Sequence, residues 1–120
     1  MKSSEIEPLL IKAVDSQLAK GTKLINRSMY INKDPKTTVA NDICGCVIGL
    51  YLLDNNKIGS DHPAPYNEAA RMFKINMTQL IDLNRGFDQR LQDSTDNKYF
   101  NLGQKLYNKY KDQITQWAYK

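Results

Sequence analysis

Thr38-Val39-Ala40-Asn41-Asp42-Ile43-Cys44-Gly45-Cys46-Val47-Ile48-Gly49-Leu50-Tyr51-Leu52-Leu53 is the stretch on which the fold turns. From Ile43 onward it is apolar on every side, the pattern of a helix enclosed by other helices. A buried strand is the rival reading of 43–53, since periodicity alone does not separate the two. Length and the scarcity of β-branched residues favour a helix, capped by Thr37 or Thr38. The apolar run from Ile43 to Leu53 holds 11 residues, and a membrane span needs about 20.

Two features of this stretch invite a chemical reading. Cys44 and Cys46 are the chain's two cysteines. Zinc sites favour two to four residues between cysteines and usually need four ligands. Here a single residue separates the cysteines, and His62 is the chain's one histidine. On a helix the two thiols would also point about 200° apart, so they read as small apolar core residues. Gly45 and Gly49 are four apart, which on a helix places them on one face. Each glycine costs about 1 kcal/mol of helix stability against alanine, so the pair predicts a close helix contact that offsets the cost.

Working outward, Ser4 and Glu7 have the spacing of a capping box, and Pro8 suits the first turn of a helix. Ile6, Leu9, Leu10, Ala13, Val14 and Leu18 follow at helical spacing. Gly21 is a natural stop, although the stripe can also continue through Leu24 and Ile25. Pro35 forbids a helix through 32–36. Beyond the central segment, 54–65 reads as a loop. Tyr66–Phe73 and Met77–Leu83 then read as short helices, the second capped by Asn76. Lys98 to Trp117 reads as a last helix whose stripe is Tyr99, Leu102, Leu106, Tyr110, Ile114 and Trp117. These elements predict an all-α fold: one helical domain over 1–120, a compact four- to five-helix bundle around a buried central helix.

Composition agrees. A chain of 120 residues with 41% hydrophobic and 25% charged residues suits one globular domain and not a disordered one. Net charge is +4, and it is uneven. Residues 1–40 hold seven Lys/Arg against four Asp/Glu, 41–94 hold five against seven, and 95–120 hold five against two. The first residues run from Met1-Lys2-Ser3-Ser4 into Glu5, Glu7 and Pro8 without an apolar signal core. A cytoplasmic protein with free thiols, no membrane contact and no cofactor is the expectation.

No constellation for catalysis is legible. Asp61 precedes His62, but neighbours on an extended chain point apart, and no motif marks a nucleophile. No phosphate-binding glycine loop and no paired-carboxylate signature is present. The expectation is a protein without enzymatic activity.

Two surfaces remain as candidates. Glu68 to Leu83 resembles the helix-turn-helix of DNA-binding repressors. Ala70 stands at the small residue of the first helix, Ile75 at the apolar residue after the turn, and Leu80 and Leu83 at those of the second helix. Lys74 stands where that pattern usually has glycine. The resemblance implies duplex contacts from 68–85 through Thr78, Gln79 and Arg85, although the segment lies in the acidic middle of the chain, 41–94, and DNA affinity rests largely on cations. The second surface is the last helix. Tyr99, Tyr107, Tyr110, Trp117 and Tyr119 alternate there with Lys98, Lys105, Lys109, Lys111 and Lys120. The rings can stack single-stranded nucleic acid, anchor a protein interface, or face the core.

A broader resemblance covers most of the chain. A first amphipathic helix, an apolar helix with Cys46-Val47-Ile48-Gly49, a small helix pair ending at Leu83-Asn84 and a final amphipathic helix follow one another. That order resembles a family of short uncharacterised helical proteins frequent in phages and actinobacteria. Arg85 replaces the Asp that family carries after its Asn. The resemblance implies the fold and brings no activity with it. Together these features point to a non-enzymatic protein-binding module, a phage or mobile-element protein acting on a host factor. Its contacts would be Tyr107, Tyr110, Lys105, Lys109 and Lys111. DNA binding through 68–85 is the alternative. The partner's identity and the oligomeric state are not legible in the sequence.

Overall fold

α1 spans Ser3–Ala19 and buries Ile6, Leu10, Ala13, Val14 and Gln17, a stripe at helical spacing. It starts two residues earlier than the Ser4–Glu7 spacing implies, with Lys2 in the capping position. The Glu5 carboxylate accepts the Lys2 N–H at 2.8 Å, so Glu5 takes the capping role assigned to Glu7. Pro8 consequently falls in the second turn and cannot donate to the Ser4 carbonyl. Gly21 does end the helix. With φ of 93° it reverses the chain so that Thr22 N–H reaches the Gln17 carbonyl at 3.0 Å and Gly21 N–H the Leu18 carbonyl at 3.1 Å. These bonds satisfy carbonyls that the helix leaves open.

The computed structural model describes residues 1–25, 31–33, 43–56, 66–88 and 97–114. The bundle is helical as expected: five helices carry the core, α1, α2 (Val47–Asp54), α3 (Tyr66–Phe73), α4 (Met77–Phe87) and α5 (Lys98–Tyr110). None of the described helices is long and apolar enough to cross a membrane.

The central segment divides where a single helix was expected. Ile43–Gly45 is a strand, β3, and α2 begins only at Val47, with extended Cys46 as its cap. β3 pairs parallel with β1 (Lys23–Leu24) and antiparallel with β2 (Ile31–Lys33), in the order β1-β3-β2. Lys23 faces Cys44, and Leu24 faces Gly45. Both readings of 43–53 were therefore half right: strand first, helix after. Thr38 to Asp42 lies outside the described residues. The helical part is enclosed as its all-round apolarity predicts, with Val47 to Leu52 all buried. Truncating Leu50 to alanine would cost about 3 kcal/mol.

Because Gly45 is in β3, it shares no helix face with Gly49. A close helix contact that the described residues do show lies between α4 and α5. A Cβ on Gly86 would strike the Phe100 carbonyl oxygen, and one on Gly103 the Leu83 carbonyl oxygen. The last helix is also shorter than its stripe. It stops at Tyr110 and passes into a 3₁₀ turn, Lys111–Gln113. Ile114 then leaves the helical stripe and bridges to Leu24 in parallel. Trp117, Tyr119 and Lys120 lie outside the described residues, as does His62.

Candidate functional site

The α3–α4 corner is built by its turn. α3 closes as α1 does: Ile75 N–H reaches the Ala70 carbonyl at 3.0 Å, and Lys74 N–H the Arg71 carbonyl at 3.2 Å. Lys74 has φ of 55°, so it adopts the left-handed conformation for which glycine is favoured. The sequence mismatch at 74 is thus absorbed without changing the turn. α4 starts immediately. Asn76 Oδ1 accepts the Gln79 N–H at 2.8 Å, and Gln79 Oε1 accepts the Asn76 N–H at 3.0 Å. Ala70, Leu80 and Leu83 are buried and Ile75 is packed against them. The Tyr51 and Phe73 rings, 4.6 Å apart, seat the corner on α2.

The corner presents two large apolar side chains outward among polar ones. Met77 is 41% exposed and Ile81 38%, one turn apart on the same side of α4. Thr78 and Arg85 are exposed beside them. Gln79 is half-buried, with its amide oxygen held in the cap. Asp82 accepts a hydrogen bond from the Asn97 amide at 2.6 Å. Of the three residues proposed to read DNA, Thr78 and Arg85 lie on the outer surface, and Gln79 is committed to the helix start.

The second set, on α5, separates into core and surface. Tyr110 is only 1% exposed. Its hydroxyl donates to Asp15 Oδ1 at 2.7 Å and approaches the Ile11 carbonyl at 3.4 Å. Burial, and then the hydrogen bond to Asp15, push its pKa up. Tyr110 therefore fastens α5 to α1 and offers no contact surface. Tyr107 is half-buried, edge-on to Phe87 at 6.3 Å. Lys105 is exposed and paired with Glu7 at 2.9 Å. Lys109 is exposed with its ammonium 5.5 Å from the Tyr110 ring centre, and Lys111 is exposed on the 3₁₀ turn.

Cys46 is buried and unbridged. Desolvation pushes its thiol up to about 12, so it is inert at neutral pH. Among the described residues no three His, Cys, Asp or Glu side chains gather as metal ligands.

Met77 and Ile81 went unnoticed in the sequence, yet the signal was there. Leu80, Leu83 and Phe87 make the buried stripe of α4, and 77 and 81 fall off it. The chain matches no protein-family model, no curated protein and no solved structure.

Proposed function

We infer that this chain is a non-enzymatic protein-binding module that docks through the outer face of α4. The exposed pair Met77 and Ile81 carries this reading. Large apolar side chains set side by side on the surface of a rigid helix favour contact with another protein. Thr78 and Arg85 supply a polar border. This favours α4 over α5, whose Tyr110 belongs to the core.

Affinity purification from the native cell, with nuclease treatment, tests the proposal. The full chain is compared with a Met77→Lys, Ile81→Lys double variant of equal thermal stability. A protein retained by the parent and lost by the variant supports it. Equal retention by both, or no retained protein, overturns it.

DNA binding through the same corner has two observations in its favour. Lys74 takes the glycine conformation of a helix-turn-helix, and the pattern's apolar positions pack inward. The chemistry of the outer face favours it less, because Arg85 is the one cation on α4. Duplex binding that weakens with Arg85→Ala, while Met77→Lys leaves it intact, would move the conclusion to this reading.

A further inference from the structure

α5 carries Lys98, Lys105 and Lys109 and no acidic residue. These lysines are exposed, as are Asn101 and Asn108. At about 100° per residue the five share one face, and at about 1.5 Å per residue the lysines span about 16 Å of it. α4 packs on the opposite side, where Phe100, Gly103 and Tyr107 lie. Beside the lysine face, α1 and α5 leave an open groove of about 200 Å³ whose polar lining is Ser3, Ser4, Glu7, Lys98, Asn101 and Lys105.

Ammonium, hydroxyl and amide donors are the groups that hold phosphate oxygens. The rings of the same helix are turned elsewhere: Phe100 and Tyr110 are buried, Tyr107 leans on Phe87, and half-buried Tyr99 donates its hydroxyl to the Met1 carbonyl at 3.0 Å. Among the described residues the lysine face therefore carries no ring of the kind on which single strands stack. A row of cations fixed on a rigid helix matches a rigid polyanion. A flexible acidic peptide would first have to lose its freedom to match it. We propose that the outer face of α5, with the groove beside it, binds the phosphate backbone of double-stranded nucleic acid without reading its sequence.

Glu7 provides an internal control. Its carboxylate pairs with Lys105 at 2.9 Å and places negative charge where a phosphate would sit. An incoming phosphate must displace it. Glu7→Gln should therefore strengthen binding, which a merely hydrated lysine face would not show. The surface is separate from the α4 face, so either can fail while the other stands.

Fluorescence anisotropy of a short mixed-sequence DNA duplex, with the full chain in about 50 mM salt and above, tests the proposal. The expected log–log salt slope is about −3, from roughly three neutralised phosphates. Lys98→Glu combined with Lys105→Glu should weaken binding at least about tenfold, and Glu7→Gln should tighten it about two- to fivefold. Thr78→Ala and Arg85→Ala should leave it unchanged. Absence of duplex binding in low salt overturns the proposal. So does binding that survives reversal of the lysines or is weakened by Glu7→Gln. Polyglutamate that displaces the duplex at lower charge concentration than a second duplex also overturns it, and would assign the face to an acidic protein.

Discussion

Gly103 rests on the backbone of Gly86. A methyl group added at 103 would stand 3.0 Å from the Gly86 carbonyl carbon and 2.7 Å from the Phe87 nitrogen. Both obstacles belong to helix backbone, which cannot rotate aside as a side chain can. Gly103→Ala should therefore destabilise the protein by about 3 kcal/mol or more, although alanine alone would favour the helix by about 1 kcal/mol. A loss of about 10 °C in Tm would accompany it. Asn108→Ala, on the exposed side of the same helix, serves as the comparison and should be near neutral. Equal melting of the two variants would mean that α4 and α5 do not meet this closely.

Lys74 gives the opposite expectation. Its φ of 55° costs a non-glycine residue about 1 kcal/mol, and its side chain is exposed. Lys74→Gly should raise stability by about 0.5–1 kcal/mol, and Lys74→Val should lower it by a similar amount or more. Urea titration of both variants checks this. A destabilised Lys74→Gly would show that the lysine side chain contributes something its backbone strain conceals.

The Tyr110–Asp15 hydrogen bond predicts a pH dependence. Burial first, and the bond second, raise the phenol's pKa in the folded state. The folded protein thus holds this proton more tightly than the unfolded chain. The associated stability is complete below the ordinary tyrosine pKa of about 10 and is lost as pH rises above it. Tyr110→Phe should cost about 1 kcal/mol at neutral pH and flatten the decline above pH about 10. Thermal melts across that range decide the matter, with an unchanged decline counting against the assignment.

Cys46 should behave as a reporter of unfolding. Its thiol is buried and its pKa is pushed up to about 12. In a Cys44→Ser variant, which leaves Cys46 as the only thiol, alkylation at pH ~8 should be at least about a hundredfold slower than in denaturant. Mass spectrometry of the modified protein gives the rate. Rapid alkylation of the native protein would show that the α2 N-terminus opens readily.

The elements best legible in the sequence were those fixed by local chemistry. α3 spans the expected Tyr66–Phe73, and Asn76 caps α4 as expected. The central segment was harder because an all-round apolar run has no period to distinguish strand from helix. What settles 43–45 as a strand is pairing with β1 and β2, which no local pattern reveals. Gly45 and Gly49 were expected on one helix face, which the strand at Gly45 rules out, while the close approach of Gly86 to Gly103 across two helices has no local pattern to announce it. Tyr110 was placed on the surface by its lysine neighbours. Its spacing from Leu102 and Leu106, both buried, was the better guide. Ile114 continues the helical stripe in sequence, yet it serves a sheet contact instead.

That contact bears on the outer edge of the sheet. Leu24 is paired with Gly45 on one flank and bridged by Ile114 on the other. Ile114 thereby occupies part of the β1 edge to which another strand could pair. Cutting the chain just after the 3₁₀ turn would leave all five helices in place and uncover that margin. The fault to look for in such a shortened protein is association of one molecule with the next along the bared flank.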